Sequence, residues 1–137
     1  MKKVNRGLFI NSHKREWVKN DSDIWVTDEE KGTLIFRAPC DFDNPIEIAN
    51  EGYYGLVVMR KRHKVIWILN GNPNPEEIMN DNIPVLNSDE ILHNVLICSG
   101  KYPYTGKCIT IPEKKYNKLI SFFKLGDIIE IHKVGRK

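Results

Sequence analysis

The chain has 137 residues, 41% of them hydrophobic and 28% charged, with a formal net charge of +3. That size suits one domain, residues 1–137, whose core needs no disulfide or metal support, and the composition excludes the disordered class. No apolar run approaches the roughly 18 to 20 residues of a membrane-crossing helix, and Leu8-Phe9-Ile10 after the basic start is too short for a secretory leader. Cys40, Cys98 and Cys108 are odd in number and contain no close pair, which points to a reducing cytoplasm and not to an extracellular disulfide framework.

Gly7 to Ile10 reads as a first short strand and Asn11 to Glu16 as the loop after it. Trp17 and Val18 open a second strand, which Lys19 to Asp23 interrupts with turn formers. Ile24 to Thr27 and Thr33 to Arg37 are rich in β-branched and aromatic residues, so they predict a hairpin around Asp28 to Gly32, with Gly32 taking the positive φ. Ala38 to Pro45 is a connection, and Ile46 to Ile48 alternates like a short edge strand.

The chain is organised around Leu56 to Leu69. Leu56 to Met59 and Val65 to Leu69 are unbroken apolar runs on either side of Arg60-Lys61-Arg62-His63-Lys64. Strands apolar on both faces belong inside a sheet or barrel, so the pattern predicts a central hairpin with a five-residue basic tip in solvent and with Met59 and Trp67 in the core. Asn70 to Pro75 ends that hairpin, and a brief helix is expected from Asn74 as N-cap, stopped by Pro84. Between Asn87 and Gly100 a capping-box pattern at Asn87 and Glu90 overlaps a strand pattern at Val95 to Cys98; the expectation is one helical turn passing into a strand.

Tyr102 to Gly106 is turn chemistry, Lys107 to Ile111 a strand, and Pro112 opens a helix. In that helix Tyr116, Leu119, Ile120 and Phe123 recur at i, i+3, i+4 and i+7 as one buried stripe, with Lys114, Lys115 and Lys118 on the outer face. Leu125-Gly126-Asp127 then turns into a last strand, Ile128 to His132. Seven to nine strands and one amphipathic C-terminal helix make an α+β fold, mostly antiparallel β and barrel-like.

Arg60, Lys61, Arg62 and Lys64 on an exposed ribbon suit a phosphate backbone, because guanidinium forks match phosphate oxygens and counterion release drives the contact. Lys114, Lys115 and Lys118 add a second basic surface. Solvation is the plain alternative for both, since sheets keep exposed ends charged and helices charge their outer faces. Catalysis has little in its favour: His13, His63, His93 and His132 are scattered, and no metal, thiol, serine-nucleophile or phosphate-loop motif occurs, so neither cofactor nor metal is expected. His63 between Arg62 and Lys64 has the makings of a general base for RNA cleavage, although a histidine in a basic loop is more often a spectator. Tyr102 and Tyr104 suit anchoring a protein partner, since tyrosines add large contact area at small entropic cost.

Gly106-Lys107-Cys108-Ile109-Thr110-Ile111-Pro112, an amphipathic helix and Leu125-Gly126-Asp127-Ile128-Ile129-Glu130-Ile131 resemble the half-site of AbrB/MazE-like swapped-hairpin DNA-binding domains, over about Gly106 to Val134. The resemblance implies a dimeric regulator that places basic loop residues on DNA, with Lys107 in the position of a DNA-contacting base. The stretch between Pro112 and Gly126 is longer than in that family. The chain therefore reads as a cytoplasmic, non-enzymatic regulatory protein that contacts nucleic acid through Arg60, Lys61, Arg62 and Lys64, helped by Lys107, Lys114, Lys115 and Lys118. The alternative is a protein-binding inhibitor of the mobile-element, phage-like type, whose AT-rich coding would fit the abundance of Lys, Asn and Ile. A ribonuclease built on His63 is the third reading.

Overall fold

Alternation along the strands sets the architecture. In β1 (Lys2–His13), Leu8 and Ile10 are buried while Phe9 between them is half-buried; β2 (Asp21–Asp28) repeats the pattern with Ile24 and Val26 around Trp25, and β3 (Thr33–Pro39) with Phe36 and Ala38 around Arg37. The computed structural model describes residues 2–13, 21–28, 32–42, 53–71, 80–85, 88–100 and 108–135. Its further strands are β4 (Asp41–Phe42), β5 (Tyr53–Arg60), β6 (His63–Asn70), β7 (Ile83–Pro84), β8 (Ile91–Leu92), β9 (Leu96–Ser99), β10 (Cys108–Ile111) and β11 (Asp127–Gly135), with one helix, α1 (Glu113–Ser121), between the last two.

Nine strands form one sheet in the order β3-β2-β1-β11-β5-β6-β9-β10-β4, and β7 pairs with β8 separately. The two edge strands are consecutive in the chain, separated by Cys40 alone. Laid flat, nine strands would put those edges about 38 Å apart at a strand spacing of roughly 4.8 Å, whereas Pro39 and Asp41 can be no more than about 7 Å apart. The sheet must roll up, and it forms a nearly closed barrel. This is the expected α+β, mostly antiparallel fold; β1 with β11 and β9 with β10 are the parallel pairs.

Register shows which side is the interior. Phe36, Val26, Leu8, Ile131 and Tyr53 are aligned across five neighbouring strands, and all are buried. One residue along, Arg37, Trp25, Phe9 and His132 make the matching outer row. There the Arg37 guanidinium lies 5.8 Å from the Trp25 ring, Phe9 and Trp25 are tilted at 5.9 Å, and Phe9 stacks on His132 at 4.7 Å. Burying each aliphatic side chain inside contributes about 1.5–3 kcal/mol, and each aromatic contact outside about 0.5–1.5 kcal/mol, so the interior dominates the stability.

The helix follows the expected stripe. Pro112 is the N-cap, at φ −53° and ψ 139°, and its carbonyl accepts the Tyr116 N–H at 2.9 Å to close the first turn; Glu113 sits at the positive end of the dipole and Lys118 in the last turn, and Tyr116, Leu119, Ile120 and Phe123 are buried. Beyond it, Gly126 takes a φ of +87°, Lys124 N–H donates to Asp127 Oδ2 at 2.7 Å and Gly126 N–H donates to the Val57 carbonyl at 2.8 Å. The chain is thereby turned back against β5 to start β11.

Several expectations are corrected. Asn11 to His13 continue β1, and Cys40 alone separates β3 from β4 where a longer connection was expected. Ile91 and Leu92 form β8, which replaces the expected helical turn; Val85 N–H donates to the Glu90 carbonyl, and the Ser88 hydroxyl accepts from Glu90 N–H. A helix would need Ile91 and Leu92 on one apolar face, but Ile91 is exposed and Leu92 buried, as alternate residues of a strand must be. Residues 80–84 hold a bridge from Asn80 to Asn70 and then β7. The strand expected at Trp17 and Val18, the one at Ile46 to Ile48, and the helix start at Asn74 lie outside the described residues. Cys40, Cys98 and Cys108 are buried, and no helix among the described residues is long and apolar enough to cross a membrane.

Candidate nucleic-acid interface

The basic segment is divided by the hairpin's register. Arg60 pairs with His63 and Met59 with Lys64, so the turn is only two residues, Lys61 and Arg62. Both have positive φ, 43° and 70°, as a type I′ turn requires to match the twist of the flanking strands. Both are exposed, and neither pairs with a carboxylate among the described residues. The tip is therefore shorter than the five residues expected, because Arg60, His63 and Lys64 belong to the strands.

Arg60 is half-buried. Its guanidinium lies over the Trp67 ring, 4.9 Å from the centroid, and Nη2 donates to Asn94 Oδ1 at 3.4 Å. It was expected to project into solvent and instead covers an indole whose Nε1 is buried with no hydrogen-bond partner. Neither Asn94 nor this stacking was legible beforehand, since nothing in the spacing of residues 60, 67 and 94 brings them together.

Lys64 is also half-buried, and its Nζ donates to the Phe123 carbonyl at 3.1 Å, at the C-terminal end of α1 where carbonyls lack helical partners. The Tyr116 hydroxyl in turn donates to the Lys64 backbone carbonyl. These two contacts fix α1 against β6 beside the turn, with Lys114, Lys115, Lys118 and Lys124 exposed. Lys61, Arg62, Lys64 and the helix lysines thus share one end of the barrel. Tyr116→Phe, which leaves the ring and removes the link, is expected to cost about 1 kcal/mol, read as a lower midpoint in urea unfolding.

Met59 was expected in the core, yet its side chain is 54% exposed, because Val57 is the last residue of its face under cover and Met59 lies beyond the rim. His63 is exposed across from Arg60; of the other histidines, His93 lies 3.4 Å from Asp81 and His132 3.7 Å from Glu130. Lys107, Tyr102 and Tyr104 lie outside the described residues. No protein-family model matches the sequence, and neither a curated protein nor a solved structure matches the chain.

Proposed function

We propose that this protein is a cytoplasmic, non-enzymatic regulator that binds nucleic acid with the barrel end carrying Lys61 and Arg62. One observation supports it above the others: two exposed cations at a tight turn are fixed, through Lys64 and Tyr116, beside a helix that exposes Lys114, Lys115 and Lys118. Such a surface suits a polyanion whose charges repeat, because each cation that meets a phosphate releases a counterion. In this reading Lys61 and Arg62 touch phosphate directly, while Arg60 stiffens the hairpin against Trp67. The dimer implied by the resemblance of residues 106–134 to swapped-hairpin domains belongs to the same proposal, with light scattering as its check.

Fluorescence titration of duplex and single-stranded oligonucleotides over a salt series tests this. Log affinity is expected to fall linearly with log salt, and Lys61→Ala with Arg62→Ala to reduce the slope on duplex by about 2. Absence of binding at low salt, or an unchanged slope in that variant, would remove the proposal.

A further inference from the structure

Leu125 sits in the turn from Lys124 to Asp127, just before the first pair of β11 with β5, Ile128 with Leu56. Two contacts bring that turn to the Met59 end of β5. Gly126 N–H donates to the Val57 carbonyl, and Lys64, the cross-strand neighbour of Met59, reaches the Phe123 carbonyl. Met59 and Leu125 are 54% and 53% exposed, large apolar side chains at a rim that also carries Lys61, Arg62, Lys64 and Lys124. The carboxylate of this turn, Asp127, is buried and accepts the Lys124 N–H, so it does not stand among the surface cations.

The geometry points to a wedge: Met59 and Leu125 enter a groove of double-stranded DNA and part a base-pair step, while the surrounding cations hold the flanking phosphates. This rests on the nucleic-acid reading and narrows it to a duplex that is bent when bound. Aliphatic side chains act on stacked base pairs by filling the opened step, whereas single-strand binding relies on aromatic faces for bases to stack on. At this end of the barrel the Trp67 face is occupied by the Arg60 guanidinium. The exposed large apolar side chains there, Met59 and Leu125, are aliphatic.

The test uses the full chain and a short duplex DNA labelled at its two ends with a donor and an acceptor. Wild type is expected to bind and to raise energy transfer by bending the duplex. Met59→Ser with Leu125→Ser is expected to keep the salt slope, bind roughly tenfold more weakly and leave the duplex straight. Thermal melts confirm that this variant folds, and Leu125→Gln alone, with a partial loss of bending, serves if it does not. Equal bending by wild type and the folded variant overturns the wedge and leaves phosphate binding intact. Failure of wild type to bind either duplex or single strand at low salt overturns both. Binding to phosphatidylserine vesicles but not to duplex, lost on the same substitutions, overturns the wedge and assigns the pair to a membrane surface.

Discussion

Lys61→Asn with Arg62→Gly is expected to make the protein more stable and a weaker ligand for nucleic acid at the same time. Both residues occupy the left-handed region, at φ 43° and 70°, which costs a residue with a full side chain roughly 1 kcal/mol or more. Asparagine tolerates that region and glycine has no Cβ to strain, and Asn-Gly is the pair that two-residue hairpin turns favour. A gain of about 1–2 kcal/mol is expected, seen as a melting temperature higher by roughly 3–8 °C. The same change removes the two most exposed cations of the tip, and affinity for duplex at physiological salt is expected to fall at least about tenfold. Because the two effects have opposite sign, weaker binding could not be attributed to unfolding. A lower melting temperature would show that the turn is not type I′; unchanged affinity would show that the tip does not touch the ligand.

The second large effect lies inside the barrel. A Cβ built on Gly55 would stand 2.7 Å from Ile66 Cγ2 and 3.0 Å from Ile131 Cδ1. Alanine in place of a strand glycine ordinarily stabilises, by about 0.4–1 kcal/mol. Here the nearest atom is carried on the Ile66 Cβ, held by a fully buried side chain in a central strand, and it cannot swing away. Gly55→Ala is therefore expected to cost about 1–3 kcal/mol, read from the urea midpoint. Adding Ile66→Ala removes the colliding methyl, so the pair should cost less than the sum of the singles. Strict additivity would mean that Gly55 does not abut Ile66 on the neighbouring strand.

What could be read from sequence was whatever local chemistry decides. Gly32 closes the β2–β3 hairpin at φ +67°, Pro112 starts α1, and the Tyr116 to Phe123 stripe is buried because 3.6-residue periodicity leaves it one face to bury. The central hairpin was legible from its two apolar arms. Its tip was misjudged by counting basic residues, when pairing Arg60 with His63 leaves room for only two in the turn. Ile91, Leu92, Val95 and Leu96 are consistent with helix and strand alike, and tertiary pairing with Ile83 and Pro84 decided for β8. Arg60 on Trp67, Lys64 on Phe123 and Gly126 on Val57 are long-range meetings with no trace in local composition. The cations of the candidate surface could be named in advance; which of them are exposed could not.

The parallel pairing of β1 with β11 also governs the order in which the molecule can be made. Leu8 meets Ile131, so that rung closes a loop of roughly 120 residues, an entropic cost near 4 kcal/mol by the logarithmic length law. While the nascent chain is still leaving the ribosome, β1 and β2 can form their hairpin, but one side of β1 has to wait for residues 127–135. During synthesis this half-made sheet offers an open strand edge to other unfinished chains, which makes it the stage at which a chaperone would matter most.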